Sequence, residues 1–231
     1  MSNIRMRNII GLILLFIIAF AVILSIIEIP FGIPKTTVGN YYINNGIDET
    51  GAVNIVTSVV LNYRGYDTLG EVTILLIAAL GLGAVLGTIK RKAKKEITPS
   101  SVVLSTGCKV LFPFILLFGS YIFLHGHLTP GGGFQGGAII ASGYLLVYLG
   151  CAKRRINQNR FKITESLSAL IFLIVGLLGL VFGGYFLLNF LPKGIPNTLF
   201  SAGIIPIIYI AIGFKVGSEL TGVIDNLIEE S

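Results

Sequence analysis

The chain has 231 residues, of which 54% are hydrophobic and 12% are charged, whereas about 25% of a soluble domain is charged. This composition excludes an ordinary soluble domain and predicts a protein that lies in a lipid bilayer. The formal net charge of +6 comes mainly from short basic loops, so it does not indicate nucleic-acid binding.

Transmembrane helices are predicted from runs without charged residues, because a span needs about 20 apolar residues. The run from Val110 to Ala152 is too long for one span, and a glycine-rich stretch divides it into two. The helices are predicted at about 8–28, 68–90, 100–124, 132–152, 164–190 and 198–222. The sequence therefore predicts an all-α, multi-pass protein of the cell membrane with about six transmembrane helices.

The first apolar run follows Arg5 and Arg7, as the core of a signal peptide would. It is longer than the roughly 7–15 residues of a signal core, and no small-residue cleavage site follows it. We therefore expect this run to remain in the mature chain as a transmembrane helix.

The basic residues predict the orientation of the helices, since Lys and Arg are enriched in cytoplasmic loops. Most of the 17 Lys and Arg precede the first helix or lie in two runs, from Lys90 to Lys95 and from Lys153 to Lys162. We therefore expect both termini in the cytoplasm. The stretch after the third helix is then expected at the outer face.

A domain boundary is predicted at the charged run that ends in Thr98-Pro99-Ser100, which is typical of a helix start. It divides the chain into a two-helix part, residues 1–95, and a four-helix part with short loops, residues 96–231. A long outer segment at about 29–66 is expected to join the first two spans and to include a short surface helix.

Four polar residues surround the predicted start of the second span. Thr68 and Glu71 match a capping box, in which each side chain satisfies a main-chain N–H at the helix start, and Arg64 and Asp67 can pair beside it. Two interpretations stay open. The residues either form a well-capped helix start, or Asp67 and Glu71 also belong to an ion or proton route.

Lys109 is predicted about nine residues into the third helix, roughly 14 Å from its start. A charge at that depth costs at least ~2.5 kcal/mol, so the side chain is expected to face protein, water or a counter-ion. We predict that Lys109 belongs to an ion pathway. The alternative is a side chain that extends to the membrane surface or is purely structural.

Lys215 and Glu219 are four residues apart and therefore share one face of the sixth helix. They belong either to an ion pathway or to a structural pair near the cytoplasmic interface. Glu28 and Glu165 are placed at helix ends, where carboxylates are commonly solvated, and Glu165 is interpreted as complementing the helix dipole.

The chain's two histidines, His125 and His127, directly precede a run of glycines. The sequence has neither H-E-x-x-H nor a second cluster of Cys or His, so no metal site is predicted, and the Lys-Ser/Thr pair of a phosphate loop is missing. No catalytic residue is predicted either. Cys108 and Cys151 are interpreted as small apolar residues of membrane helices.

Thr129 and Pro130 predict the start of the fourth helix. The stretch is either a tight outer turn, in which glycines let helices approach closely, or a polar vestibule in which His125, His127 and Gln135 help to conduct ions or protons. Glycines spaced by four residues predict close helix packing within the chain and with other subunits. They are Gly83 and Gly87, Gly133 and Gly137, Gly179 and Gly183, and Gly213 and Gly217.

The segment HGHLTPGGGFQGGAIIASGYLLVYL, from His125 to Leu149, resembles the signature of the B subunit of Mrp-type multisubunit cation/proton antiporters. It equally resembles the matching subunit in the antiporter-like modules of membrane-bound hydrogenases and sulfur-reducing complexes. The segment NIVTSVVLNYRGYDTLGEVTILLIAALG, from Asn54 to Gly81, resembles the last part of the antiporter A subunit. Asn62 stands where that family often has an aspartate.

The resemblance implies a subunit with no catalytic centre or cofactor of its own, which helps to form the route for Na⁺ and H⁺ as transported ions. The implied partners are other antiporter-type membrane subunits, with peripheral redox subunits if the complex is a redox enzyme. The motif residues carried over by the resemblance are His125, His127, Thr129, Pro130, Gly131, Gly132, Gly133, Phe134, Gln135, Arg64, Asp67, Thr68 and Glu71.

Two other functions compete with that of an ion-route subunit. The first is a purely structural scaffold of the same complex. The second is an intramembrane metal-dependent hydrolase, for which the sequence shows neither a nucleophile nor a metal cage. Sequence does not distinguish a stand-alone antiporter from the ion-pumping arm of a hydrogenase or a sulfur reductase.

Overall fold

The computed structural model describes residues 2–28, 36–87, 100–151 and 158–230, and these residues form helices and connections without a strand. The helices are α1 (Ser2–Glu28), α2 (Thr37–Thr50), α3 (Ile55–Ser58), α4 (Gly65–Gly87), α5 (Val102–Leu124), α6 (Gly133–Gly150), α7 (Gln158–Gly183) and α8 (Ile205–Glu230). A π-helical segment, Val59–Tyr63, precedes α4.

Six of these helices, α1 and α4 to α8, are long and apolar enough to cross a membrane, which confirms the prediction of an all-α protein with six spans. The run from Lys90 to Lys95 and the first half of the run from Lys153 to Lys162, residues 153–157, lie outside the described residues. The orientation with both termini in the cytoplasm stays a prediction, as does the division into residues 1–95 and 96–231.

The chain divides into two compact units, residues 1–39 and residues 40–231. In the first unit, α1 exposes its side chains from Asn8 to Glu28, and nearly all of them are apolar. A helix of this kind satisfies its own backbone hydrogen bonds and needs lipid or another protein around its side chains.

The second unit is built around α8, against which α4, α5, α6 and α7 pack. The apolar residues that α8 buries include Ile205, Ile208, Ala211, Ile212 and Val216. Because neighbouring helices cover α8 on several sides, polar residues of α8 are also removed from the membrane, and they form most of the candidate functional site.

Glycines allow α6 to pack closely against α8. A Cβ atom added at Gly133 would lie 2.6 Å from Ile212 Cβ, and one at Gly137 would lie 2.8 Å from the carbonyl oxygen of Gly213. Both distances are shorter than any normal contact, so only glycine fits. Gly133 packs against Tyr209 and Ile212 of α8, and Gly137 packs against Gly213 and Gly217, which is the close helix packing that the glycine spacing predicts.

The last two spans differ from the predicted positions of 164–190 and 198–222. The connection between α7 and α8, residues 184–204, is long and irregular, whereas a short loop was predicted. The chain leaves α7 at Gly184 in the left-handed region, with φ of +85°, and Leu187 follows with φ of +63°. The side chain of Asn189 holds the connection by accepting from Ile204 N at 3.0 Å and donating to Ala202 O at 3.2 Å.

The segment before α4 is more structured and more buried than the predicted surface helix. Thr57, Ser58 and Leu61 are buried. The predicted capping box is wrong, because α4 begins at Gly65 and Thr68 therefore lies inside its first turn. Its hydroxyl donates to Val60 O at 2.7 Å, which ties α4 to the π-helical segment.

The start of α6 also differs from the prediction. The helix begins at Gly133 rather than at Thr129 and Pro130, since Gly131 and Gly132 adopt φ of +155° and +152°. L side chains rarely adopt these angles, so the two glycines make the turn possible.

Candidate functional site

Lys215 and Glu219 form an ion pair inside the second unit. The distance from Lys215 Nζ to Glu219 Oε2 is 2.7 Å, and the two side chains are 4% and 1% exposed. Burying two charges costs several kcal/mol per ion in general, and this cost is offset only by close pairing and hydrogen bonds. The four-residue spacing predicts the pair, whereas its depth inside the protein is a finding of the structure.

One oxygen of this pair has no partner among the described residues. Glu219 Oε1 is buried and makes no hydrogen bond within the part of the chain that the structure describes. Buried carboxylate oxygens are almost always hydrogen-bonded, so an oxygen of this kind indicates a water molecule or an ion that completes its environment.

A cavity of about 160 Å³, lined by both polar and apolar residues, lies beside the pair, where α8 ends and α7 begins. Residues of α4, α6, α7 and α8 line it. The polar residues of its lining are Gln158, Lys162, Glu165, Ser218, Glu219, Thr221, Asp225 and Asn226. A cavity of this size has room for several water molecules, since each takes about 30 Å³ in the liquid.

Two carboxylates of the cavity were missed or misinterpreted from the sequence. Asp225 is 4% exposed and accepts from Gln158 Nε2 at 2.6 Å, although the predicted helix ended before it. Glu165 lies well inside α7, which begins at Gln158, so the interpretation of Glu165 as a residue at the helix start is wrong. The missed signal for Asp225 is the spacing of Ser218, Thr221 and Asp225, which share one helix face.

The turn between α5 and α6, residues 125–132, packs against the N-terminal half of α8. The carbonyl oxygen of Gly126 accepts from Asn54 Nδ2 at 2.9 Å and from Thr57 Oγ1 at 2.7 Å. The hydroxyl of Thr57 also lies 2.8 Å from the hydroxyl of Tyr209 on α8. The turn is thus fixed by hydrogen bonds to the segment before α4, and that segment is in turn hydrogen-bonded to α8.

The two histidines of this turn have different environments. His127 is fully buried, and neither ring nitrogen has a geometrically acceptable hydrogen bond within the described residues. Burial lowers the pKa of His127, while main-chain groups of Thr198 and Leu199 act in the opposite direction. His125 is half-buried and stacks on Tyr121, with ring centroids 4.2 Å apart.

The other residues of the predicted vestibule and motif lie around the turn. Gln135 is exposed on the first turn of α6, whereas Phe134 packs against the core around α8. Thr129 donates through its hydroxyl to His125 O at 3.3 Å. Pro130 is exposed, and an added Cβ at Gly132 would lie 3.2 Å from the Tyr209 ring. These positions support close packing of the turn.

The polar residues near α4 are largely exposed. Arg64 and Asp67 form the expected ion pair, with side chains that are 61% and 51% exposed. Glu71 is also exposed. The structure does not bring these residues to the cavity, and their part in an ion route stays a prediction.

Lys109 faces away from the rest of the second unit. It is exposed on α5, together with its neighbours Val110 and Phe114. The helix begins at Val102, so Lys109 lies about 10 Å along it, less deep than predicted. The side chain therefore meets lipid headgroups, water or another subunit rather than the cavity.

The cysteines also lie together, which the sequence did not predict. The sulfur atoms of Cys108 on α5 and Cys151 after α6 are 2.8 Å apart. Within the described residues, no group of three or more His, Cys, Asp or Glu is placed so that it could hold a metal ion.

Two family models match the chain. A model described as a domain related to the MnhB subunit of a Na⁺/H⁺ antiporter matches residues 103–222, and one described as the MbhE subunit of MBH matches residues 6–101. The chain is also 32% identical over 197 residues to an uncharacterized protein of Methanocaldococcus jannaschii, which covers 73% of this chain and 74% of that protein.

Two solved structures resemble the chain. One is a chain of the membrane-bound sulfane sulfur reductase (MBS), an archaeal respiratory membrane complex, with a TM-score of 0.77, 48% identity and coverage of 96% of this chain and 98% of that chain. The other belongs to the Mrp complex from Dietzia sp., with a TM-score of 0.71, 25% identity and coverage of 96% of this chain but 26% of that chain. The resemblance expected from the sequence motifs is confirmed.

Proposed function

Because the chain belongs to the family of domains related to the MnhB subunit of Na⁺/H⁺ antiporters, we propose that it is a non-catalytic membrane subunit that forms part of an ion route. The transported ions in this proposal are Na⁺ and H⁺, and the chain needs no cofactor of its own. Its contribution to the route is the buried pair of Lys215 and Glu219.

The observation that carries the proposal is the combination of this ion pair with an adjoining cavity that contains further charged residues. Ionisable residues inside membrane proteins are costly, and they commonly mark pathways for ions or protons. A structural pair would need no cavity beside it, whereas Glu219 lines a cavity that contains the further carboxylates Glu165 and Asp225.

The chemistry of the pair suits alternating occupation by protons and cations. Lysine can give up its proton when it is desolvated, and a carboxylate can bind either a proton or a metal cation. In the proposed route, Glu219 is the group that exchanges its partner. Lys215 supplies a nearby positive charge that prevents the carboxylate from holding a cation too tightly.

The polar residues of α8 extend the route beyond this pair. The ring of Tyr209 packs against Gly126 and Gly132 of the turn that contains the histidines, Lys215 and Glu219 follow further along α8, and Asp225 lies in the cavity. From Tyr209 to Asp225 the helix rises by roughly 24 Å, most of the thickness of a membrane core.

The proposed setting is a large complex with other antiporter-type membrane subunits. The similarity to the MBS chain covers 98% of that chain, whereas the similarity to the Mrp chain covers 26% of it. We therefore favour a respiratory complex with peripheral redox subunits over a stand-alone antiporter.

Purification of the complex through a tag on this chain tests the proposal. Antiporter-type membrane subunits should copurify with the chain, and redox subunits should accompany them. In inverted membrane vesicles with a preformed proton gradient, NaCl should release protons when the chain is present and not when its gene is deleted. KCl in place of NaCl shows which cation the complex exchanges.

The proposal would be wrong if the chain purified alone, or if NaCl released protons equally well without it. Deleting a scaffold subunit would also stop transport. Substitutions at Lys215 and Glu219 that leave the complex assembled are therefore needed to distinguish a scaffold from a part of the ion route. A scaffold predicts that such a complex transports as wild type does.

A further inference from the structure

We infer that the cavity at the C-terminal end of α8 is a binding site for one monovalent metal cation, with the free Oε1 of Glu219 as its principal ligand. This inference rests on the proposed function, because a cation that is transported must bind somewhere along its route. It goes further by assigning the position, the charge and the ligands of one binding site.

One carboxylate oxygen of Glu219 lacks a partner among the described residues. Its side chain is 1% exposed and lines the cavity, and Oε2 is already taken by Lys215. Oε1 has no hydrogen-bond partner within the described residues. A full or partial negative charge on a buried oxygen is stabilised by a donor or by a cation, and the cavity provides the space for either.

The described residues of the cavity carry a net negative charge. Its lining carries three carboxylates, Glu165, Glu219 and Asp225, and one ammonium group, Lys162. Lys215 adds a second ammonium group through its pair with Glu219. Among the described residues, one negative charge remains uncompensated, which a single monovalent cation neutralises and a divalent cation would exceed.

Repulsion between two of these carboxylates adds to the argument. Glu165 is close enough to Glu219 for their charges to repel each other. Like charges that share a site are stabilised when a cation or a proton lies between them. A cation in the cavity would therefore remove a cost that the protein otherwise carries.

The remaining ligands suit a hard cation that is held weakly. Ser218, Thr221 and Asn226 bring hydroxyl and amide oxygens to the lining, and oxygen donors are preferred by hard metal ions. The described residues offer no cluster of three or more His, Cys, Asp or Glu that could hold a metal. We therefore assign the other ligand positions to neutral oxygens and water. Weak binding of this kind is what transport requires, because the ion must also leave.

The test measures binding of ²²Na⁺ to the purified whole complex, separately from transport. Wild type is compared with Glu219→Gln and with Asp225→Asn, which changes the same cavity without breaking the ion pair. Asp48→Asn is the matched control, since Asp48 is an exposed carboxylate of α2 outside the cavity. Choline chloride keeps the ionic strength constant.

We expect Glu219→Gln to lose one bound Na⁺ per complex, and Asp225→Asn to weaken binding of the same ion severalfold. Asp48→Asn should bind as wild type does, and K⁺ should compete with Na⁺ more effectively than choline does. If both cavity variants bound as many Na⁺ ions as wild type with unchanged affinity, the cavity would hold water only and the inference would be wrong.

Separate measurements distinguish this inference from the proposed function. Unchanged Na⁺ binding together with lost transport in Glu219→Gln would overturn the cation site and leave the ion route in place. Lost binding together with unchanged transport would leave the cation site in place and overturn its part in the route.

Discussion

The hydroxyl groups of Thr57 and Tyr209 lie 2.8 Å apart, although the two residues are separated by 152 positions in the sequence. Thr57 belongs to the segment matched by the MbhE family model, and Tyr209 belongs to the segment matched by the MnhB-related model. Both residues are buried, and Thr57 also binds the turn that contains the histidines. The two segments therefore share one polar core beside α8.

Substitution of Gly133 tests the packing role of the glycine-rich turn. In Gly133→Leu, the new side chain would overlap with Ile212 of α8, whose Cβ already lies 2.6 Å from the position of an added Cβ. Overpacking of this kind typically costs about 1–3 kcal/mol, and more where backbone is also in the way. We expect the variant chain to be lost from the purified complex.

The matched control for this prediction is Gly81→Leu, because no atom lies within 4 Å of an added Cβ at Gly81. This variant should assemble as wild type does. A Gly133→Leu complex that assembled normally but had lost ion coupling would show instead that the turn acts in conduction.

His127 predicts a pH dependence of stability. Its pKa is lowered by burial, so on acidification the unfolded chain takes up the proton before the folded chain does. The stabilisation is complete above the unfolded pKa of about 6.5 and is lost as the pH falls toward the lower folded value. Replacing His127 with Leu should therefore reduce the loss of thermal stability between neutral and mildly acidic pH.

Thermal unfolding of the purified complex at a series of pH values measures this effect. His125→Leu serves as the control, since His125 is only half-buried. Equal pH dependence in wild type and His127→Leu would show that His127 does not titrate in this range.

Two substitutions of Lys109 separate three roles for this exposed residue of α5. Arg keeps the charge but hardly ever releases its proton, and Met removes the charge but keeps much of the shape. A proton relay predicts that both variants assemble and lose most of the coupled transport. A fixed counter-charge for another subunit predicts that Arg works and Met fails.

Full transport by Lys109→Met would mean that the lysine only extends to the membrane surface. Lys109 lies about 10 Å along α5, and a lysine side chain at that depth can reach toward the surface, so the Met variant is an essential part of the test. Sodium-dependent proton movement in vesicles is the measurement for both variants.

Single cysteines test the predicted orientation. In a chain with Cys108→Ala and Cys151→Ala, Ile195→Cys lies in the connection between α7 and α8, and Asn159→Cys lies at the start of α7. A membrane-impermeant maleimide added to intact cells should label position 195 and not position 159. The reverse pattern would place the histidines on the cytoplasmic side.

The six spans could be predicted because lipid requires long apolar helices, and this signal depends on composition alone. The boundaries of the last two helices could not be predicted in this way. Residues 184–204 are nearly as apolar as a membrane helix, so hydropathy does not show that Gly184 ends α7 and that Asn189 holds an irregular connection. Boundaries of this kind are set by tertiary contacts.

The candidate site could also be predicted only in part. The spacing of Lys215 and Glu219 predicted that they share a helix face, and the structure confirms their contact. Asp225 was missed because the predicted helix ended at residue 222, and Glu165 was misinterpreted because α7 begins six residues before the predicted start at 164. The cavity itself depends on how several helices meet, which no single segment of sequence describes.

The most direct test of the central claim is transport by the double variant Lys215→Met/Glu219→Gln. Removing one charge of a buried pair destabilises a protein by about 3–5 kcal/mol, whereas replacing both with neutral residues is often tolerated. The double variant should therefore assemble as wild type does. We expect it to carry out sodium-dependent proton movement at less than about a tenth of the wild-type rate, a loss of at least about 1.4 kcal/mol. Wild-type transport by the assembled double variant would contradict the account and leave the pair with a purely structural role.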